Sequence, residues 1–214
     1  MSAEEENMDD RVRRAVVAGT LGALSIFLGL TRLGFIPWFA GASLTIMHVP
    51  VIIGAVIEGP VVGLIVGALF GGFSLLQAAI APTGPIDVFF TNPMVSILPR
   101  LLIGPVAWFV FRAIRRSNIS VAAVIAAILG TATNTVFVLG MLGVLGAIPW
   151  AVVGTVAVAN GLPEAGLSAV ITLAVVGAWR LTAAGKRAVA GWASRDESLS
   201  RDREESSGPS AGDA

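Results

Sequence analysis

Three ionisable residues lie inside long apolar stretches of this chain and are the first candidates for chemistry. His48, Arg100 and Glu164 have no charged residue within a helical turn of them in the sequence. A charge at membrane depth costs about 3 kcal/mol unless it is paired or hydrated, so such residues commonly face a cavity. In a cavity, the planar guanidinium of Arg100 favours a ligand with a carboxylate or a phosphate. The alternative is an arginine that reaches the membrane interface or pairs with Glu164 for packing.

Glu164 follows a helix-breaking sequence, Asn160-Gly161-Leu162-Pro163. A broken helix can expose backbone groups to a ligand. We favour the simpler interpretation of a helix start, with proline in the first turn and the acid near the positive end of the helix dipole. Both interpretations leave Asn160 and Glu164 available to a cavity. For His48, a hydrogen-bonded packing role is favoured over a proton relay.

Polar side chains within or beside the apolar runs form a second set, because each needs a hydrogen-bond partner in lipid. Asn134 lies in the middle of a run, and we favour an interhelical hydrogen bond over a cavity role for it. Trp38 and Trp150 fall in predicted loops and could cover a bound ligand. The polar set is Asn92, Ser96, Thr131, Thr133, Asn134 and Asn160.

These residues are positioned by hydrophobic segments of membrane-spanning type. The 214 residues are 55% hydrophobic and only 13% charged, with a mean hydropathy of +0.84. A span needs about 20 apolar residues. The sequence therefore predicts an all-α membrane protein, a bundle of six transmembrane helices. The second segment is too short for a full span, and residues 148–159 form an apolar shoulder that either lies along the interface or begins a longer, bent helix. The segments are residues 12–30, 43–57, 61–80, 93–113, 121–145 and 161–181.

Polar tails flank the predicted membrane domain of residues 12–183. Residues 1–11 contain five acids, residues 184–214 are mostly polar, and we expect both tails to be disordered. The acidic start is unlike a signal peptide. Six spans place both termini on one side, and basic clusters predict that this side is cytoplasmic. The clusters are Arg11, Arg13 and Arg14; Arg112, Arg115 and Arg116; and Arg180, Lys186 and Arg187.

Small residues repeat every four positions in two segments. Gly59, Gly63, Gly67 and Gly71 in the third segment predict close helix packing within the bundle. In the first segment, Ala15, Gly19 and Ala23, or Ala18 and Gly22, form similar faces. These faces serve either the bundle or a partner subunit.

Composition excludes several functions. The chain has no cysteine and a single histidine, so thiolate and multi-histidine metal sites are excluded. No G-x-x-x-x-G-K-[ST] motif occurs, so the chain does not hydrolyse ATP by that route. We expect no catalytic residue, no metal, no cofactor and no nucleic-acid partner. A stand-alone secondary transporter and an intramembrane protease are the competing hypotheses; scarce carboxylates in mid-span oppose the first, and the lack of a supported nucleophile opposes the second.

Several motifs resemble the substrate-binding S components of energy-coupling factor (ECF) vitamin transporters. They are Thr45-Ile46-Met47-His48-Val49-Pro50, Glu58-Gly59-Pro60 with the glycines that follow, Asn92 to Arg100, Gly130 to Thr135, and Leu162-Pro163-Glu164-Ala165. The resemblance covers residues 12 to 183.

This resemblance implies a six-helix subunit without ATPase activity, which binds a vitamin from the outside and works with a membrane T component and two ABC-type ATPases. It implies that small residues on the first helix contact the T component, which here are Ala15, Gly19 and Ala23, or Ala18 and Gly22. It also implies a pocket near the outer side. The residues that it suggests for the pocket are Asn92, Arg100, Asn134, Asn160 and Glu164, with Trp38 and His48 behind them.

The substrate is predicted from charge and ring content. Arg100 fits an anionic ligand, and a pocket with few aromatic residues fits pantothenate better than a flat ring. Riboflavin is second, because the same motifs also resemble the riboflavin-type branch of the family.

Overall fold

The computed structural model describes residues 3–37, 43–82 and 84–206 of the chain. Helix α1 runs over Ala3–Leu30 and is followed by an antiparallel pair of short strands, β1 at Phe35–Pro37 and β2 at Ser43–Thr45. Helix α2 spans Val49–Glu58, and α3 spans Pro60–Ile80. The turn between these two helices is made by Gly59, whose φ of 102° lies in a region that only glycine adopts without strain.

The second half of the chain is helical with short connections. A 3₁₀ helix at Asp87–Thr91 leads into a single-turn helix, α4, at Pro93–Ser96. The next helices are α5 at Leu98–Ile114, α6 at Ile119–Val144 and α7 at Trp150–Ala159. The last two are α8 at Gly161–Leu181 and α9 at Ala183–Ser206.

The predicted all-α membrane fold is confirmed, with a different distribution of spans. In the part of the chain that the structure describes, five helical stretches are long and apolar enough to cross a membrane: residues 10–30, 60–80, 93–114, 119–144 and 150–181. The predicted second span is instead a strand followed by the ten-residue α2. Ten residues of helix extend about 15 Å, half of a hydrocarbon core.

Although α2 is too short to be a span, it lies in the middle of the bundle. Residues 49–56 are all buried, and α2 packs against α1, α3, α5, α6 and α8. Pro50 lies in the first turn of α2, where its missing N–H breaks no helical hydrogen bond. Upstream of it, the residues that the sequence assigned to a helix pair with β1 instead, in the register Phe35 to Thr45.

The apolar shoulder joins the last span as a single interrupted helical stretch. Helices α7 and α8 meet at Asn160, and the backbone N–H of Glu164 still donates to the Asn160 carbonyl at 3.0 Å. Pro163 has no N–H to donate to the carbonyl of Ala159, four residues earlier, so the regular ladder is interrupted there. Residues 150–159 are therefore helical and continue into α8 after one residue, while their position relative to the membrane interface stays a prediction.

Both ends of the described chain differ from the predicted disordered tails. Helix α1 begins at Ala3, in a run of helix-forming residues without glycine or proline. Helix α9 covers Ala183–Ser206 because it docks on the bundle: the ring of Trp192 lies 5.6 Å from that of Phe111 and 5.9 Å from that of Trp179. The remaining predicted tail, residues 207–214, lies outside the described residues.

The predicted packing role of the α3 glycines is confirmed at three of the four positions. A Cβ added to Gly63 would lie 2.8 Å from the Cα of Gly104, and one added to Gly67 would meet the carbonyl oxygen of Arg100. A Cβ on Gly71 would lie 2.8 Å from the carbonyl oxygen of Ser96. Helices α3 and α5 are therefore in backbone contact. This contact fixes the position of the Arg100 backbone.

Candidate functional site

A cavity of about 280 Å³ lies between α3, α5, α6, the α7–α8 junction and the strand pair. Its size is near the lower end of the range for small-molecule sites. Its walls are mostly apolar, with several polar side chains that converge on the space, which is the usual make-up of a ligand site. We call it the Arg100 cavity. It is lined by Phe35, Thr45, Met47, Phe70, Ser74, Gln77, Ala78, Asp87, Phe90, Arg100, Asn134, Thr135, Val138, Leu139, Val156, Asn160 and Glu164.

Arg100 is the positive charge of this cavity and is only 6% exposed. Its guanidinium carbon lies 5.3 Å from the centre of the Phe70 ring and 5.4 Å from that of Phe90. One terminal nitrogen donates to the carbonyl of Val95 at 2.5 Å, while Nε has no protein acceptor. Among the described residues, no carboxylate lies within 4.0 Å of Arg100. Its charge is therefore buried, with partial hydrogen bonding and without a counter-ion from the part of the chain that the structure describes.

The surroundings of Arg100 decide between the alternatives that the sequence left open for it, an ion pair with Glu164 and a side chain that reaches the membrane interface. Glu164 lines the same cavity but forms no ion pair with Arg100, so the packing pair was wrong. A buried guanidinium is also not one that extends to the membrane interface. An uncompensated buried cation is destabilising, and an anion bound in the cavity would offset that cost.

Local turns before α5 hold the acceptor and one of the rings that surround Arg100. The side-chain oxygen of Asn92 accepts from the Met94 N–H at 3.0 Å and so caps α4. The hydroxyl of Ser96 donates to the carbonyl of Phe90, which ties α4 back to the 3₁₀ helix. These bonds place the Phe90 ring and the Val95 carbonyl next to the guanidinium.

Asn134 and Thr135 on α6 present unused hydrogen-bonding atoms to the cavity. Asn134 is 8% exposed, and its side-chain oxygen has no protein partner; the buried hydroxyl of Thr135 has none either. Buried polar atoms are nearly always satisfied in folded proteins, so unsatisfied ones that line a cavity indicate a ligand or water. Within the described chain, the oxygen of Asn134 does not form the interhelical hydrogen bond that was favoured for this residue.

Glu164 joins the end of the strand pair to α8. It is 7% exposed, and its Oε1 accepts from the backbone N–H of Thr45 at 2.6 Å. Asn160, one turn earlier at the α7–α8 junction, also lines the cavity. The helix interruption therefore places an amide and a carboxylate side by side on one wall.

Two of the other three predicted pocket residues, Asn92 and His48, do not line the cavity. Asn92 is the α4 cap described above. His48 is fully buried next to Met47, with its Nε2 2.9 Å from the hydroxyl of Thr131, in agreement with the packing interpretation. Trp38 lies outside the described residues. Trp150, the second loop tryptophan, lies against Gly143 and does not line the cavity either.

Several cavity residues were missed in the sequence. Ser74 and Gln77 stand one turn apart near the end of α3, where a polar residue is tolerated at the interface and so gives a weak signal. Asp87 was not among the predicted pocket residues, yet it also lines the cavity. The rings of Phe35, Phe70 and Phe90 are indistinguishable from packing residues until the fold brings them together.

The two small-residue faces of α1 have different surroundings. Ala18 is buried, and a Cβ on Gly22 would overlap the side chain of Leu69 on α3, so this face packs inside the bundle. Ala15, Gly19 and Ala23 are exposed, and a Cβ on Gly19 would meet nothing within 4 Å among the described residues.

Together, the apolar spans and the Arg100 cavity define a small polytopic membrane protein that can hold a polar ligand at membrane depth. Comparison with known families gives the class more closely: residues 13–176 match the family described as "ECF transporter, substrate-specific component". The chain belongs to this family. It is accordingly a component of a transporter and not an enzyme, which removes the intramembrane protease hypothesis.

A curated relative gives a more specific likeness. Over 151 residues, the chain is 30% identical to the pantothenic acid transporter PanT of Lactococcus lactis subsp. cremoris (strain MG1363). The matched region covers 62% of this chain and 75% of the relative.

Proposed function

We propose that the chain captures pantothenate from the outer side of the cell membrane, and delivers it together with a T component and two ABC-type ATPases. The observation that carries the choice of ligand is Arg100, a buried cation that faces a cavity and has no carboxylate partner among the described residues. A ligand carboxylate would supply the missing charge and an acceptor for Nε.

The remaining polar residues suit the rest of this ligand. Pantothenate has a carboxylate at one end, an amide in the middle and hydroxyl groups at the other end. Asn134, Asn160 and Gln77 can donate to and accept from an amide or a hydroxyl, and Glu164 can accept from a hydroxyl. The relative PanT is a pantothenic acid transporter, which is consistent with this assignment.

Riboflavin is less well supported by the cavity. A flat ring system is normally held by stacking on aromatic side chains. In this cavity, two of the phenylalanine rings, Phe70 and Phe90, are already placed beside the guanidinium of Arg100. The space is also small, about 280 Å³.

The proposed orientation places both termini in the cytoplasm. The start of α1, the end of α5 and α9 meet at one end of the bundle, and their arginines line a common space there. Basic residues concentrate on the cytoplasmic side of membrane proteins. The Arg100 cavity then opens toward the outer half of the membrane.

The proposed contact with the T component is the exposed face of Ala15, Gly19 and Ala23. Small residues in this pattern let another helix approach closely. Because Ala18 and Gly22 are used inside the bundle, the exposed face is the one that is left for a partner.

Titration calorimetry of the purified chain in detergent tests the ligand. Pantothenate, riboflavin and pantothenol, in which an alcohol replaces the carboxylate, would be titrated separately. We expect tight binding of pantothenate alone, without ATP or partners, and at least about 100-fold weaker binding of pantothenol. Equal binding of pantothenate and pantothenol would refute the role of Arg100, and tight binding of riboflavin would refute the choice of vitamin.

A further inference from the structure

A second and larger space lies at the opposite end of the bundle from the strand pair. It has a volume of about 850 Å³ and is enclosed by the start of α1, the α2–α3 turn, the end of α5 and α9. We call it the arginine basin. Six arginines and three carboxylates line it, which leaves an excess of three positive charges. The arginines are Arg13, Arg14, Arg112, Arg115, Arg187 and Arg195.

The carboxylates of the basin neutralise only part of this charge. Glu58 accepts from Arg13 at 2.8 Å, and Asp196 lies 3.4 Å from Arg115. In the described part of the chain, no carboxylate lies within 4.0 Å of four of the basin arginines. These four are Arg14, Arg112, Arg187 and Arg195. They come from three separate helices, so the excess charge is produced by the fold and not by one run of sequence.

Apolar side chains form the other part of the basin wall. Trp108, Phe111 and Trp192 line it, and so does Val61, which is 59% exposed at the first turn of α3. One turn further along α3, Leu64 and Ile65 are also exposed. An exposed apolar strip on a membrane helix faces lipid chains. The strip therefore begins at the basin and runs away from it along α3.

We propose that the arginine basin binds the headgroup phosphate of an anionic phospholipid, with an acyl chain along the α3 strip of Val61, Leu64 and Ile65. Arginine forks match phosphate oxygens, and basic pockets between helices on the cytoplasmic side bind anionic headgroups. A free phosphate or nucleotide would use the charge but not the strip. The choice of leaflet depends on the proposed orientation, whereas the binding itself does not depend on which vitamin the chain carries.

The lipid proposal predicts selective retention of phosphatidylglycerol over phosphatidylcholine, whose choline cation the arginines repel. The complete chain in detergent would be mixed with equal amounts of both lipids, and the bound lipid counted by native mass spectrometry. The test variant is R14Q/R112Q/R187Q. The matched control is R32Q/R180Q/R201Q, which removes the same charge from residues that do not line the basin. Circular dichroism and gel filtration report whether each variant is folded.

We expect the unmodified chain and the control to retain phosphatidylglycerol at least tenfold over phosphatidylcholine, and the test variant to lose this preference. Equal retention of the two lipids by the unmodified chain would overturn the proposal, as would an unchanged preference in a folded test variant. In a third arm, inorganic phosphate and glycerol phosphate compete with the lipid. Displacement by either at the concentration of the lipid itself would overturn the lipid assignment in favour of a free anion. Vitamin binding would be measured by titration of the same samples, and its result is independent of the result for the lipid.

Discussion

The Arg100 cavity and the arginine basin both contain arginines that have no carboxylate within 4.0 Å in the described part of the chain, but the surroundings of these arginines are opposite. In the cavity, one buried guanidinium has two rings and a carbonyl around it. Asp87 and Glu164 line the same space, but no carboxylate of the described chain lies within 4.0 Å of Arg100. In the basin, six arginines, five of which are exposed, line the space together with three carboxylates. The strength of a charge interaction depends on its surroundings, so one buried arginine can decide which ligand binds, whereas several exposed arginines are each worth little.

The largest expected effect is the loss of pantothenate affinity when the charge in the Arg100 cavity is removed. Arg100→Gln should weaken pantothenate binding at least about 100-fold, on the order of 3 kcal/mol, because a buried carboxylate would lose its charged partner. Calorimetry of the purified variant measures this loss. Arg180→Gln, which removes an arginine outside the cavity, serves as the control. An Arg100→Gln protein that binds as well as the control would show that the ligand carboxylate lies elsewhere.

The next prediction concerns the backbone that holds Arg100. Gly67→Val should lower the stability by about 1–3 kcal/mol or more, because its side chain would collide with the carbonyl of Arg100 on α5. The matched change, Gly72→Val, is in the same helix and meets open space among the described residues. Thermal unfolding in detergent compares the two. Similar midpoints would mean that α3 and α5 are not in backbone contact.

A change on the exposed face of α1 should separate assembly from ligand capture. Gly19→Leu should reduce recovery of the T component and ATPases in co-purification several-fold, while pantothenate affinity stays within about twofold, since Gly19 lies outside the cavity. Gly177→Leu on α8 is the control, because it too meets open space. Equal recovery with both variants would argue against this face as the contact surface.

The smallest effect is expected in the basin. The carboxylate of Asp196 lies 3.4 Å from Arg115 and 3.3 Å from Arg116, and the two bonds tie α9 to the end of α5. Burial by itself raises the pKa of Asp196, but the hydrogen bond from Arg116 and the nearby arginine charges outweigh it and lower the pKa. The contribution of this carboxylate is therefore complete above its unfolded pKa of about 4 and is lost as the pH falls through the lowered value.

Asp196→Asn should thus destabilise the docking of α9 by about 1 kcal/mol or less at neutral pH. Hydrogen exchange of α9 peptides would report this as a modest increase in rate. Glu197→Gln, which removes an exposed partner of Arg201 on the same helix, should leave the exchange unchanged. Faster exchange in Glu197→Gln than in Asp196→Asn would contradict the docking role of Asp196.

Polar and charged residues in apolar runs were the most informative feature of the sequence. Arg100, Asn134, Asn160 and Glu164 were all predicted as pocket candidates, and all four line the cavity. The reason is physical: a polar group at membrane depth needs a partner or a cavity, whatever the detailed fold. Whether they contact the ligand stays a prediction until binding is measured.

Contacts between distant parts of the chain were not predictable in the same way. The strand at Ser43–Thr45 forms because Phe35 pairs with Thr45, and α9 is ordered by rings on two other helices. Gln77 lies near the end of a segment and Asp87 lies between two segments, and in both positions a polar residue requires no special explanation. Asn92 and His48 were selected for polarity, and their partners turned out to be Met94 and Thr131.

The short helix α2 has a consequence for how the chain is made. Ten residues cannot hold a position across a bilayer without help, and the backbone of the strand pair before them must be shielded from lipid by protein. The helices that surround α2 include α5, α6 and α8, which leave the ribosome later. The segment around α2 therefore cannot be fully packed until the last span has been synthesised. Correct folding of the first third of the protein thus depends on the helices that follow it.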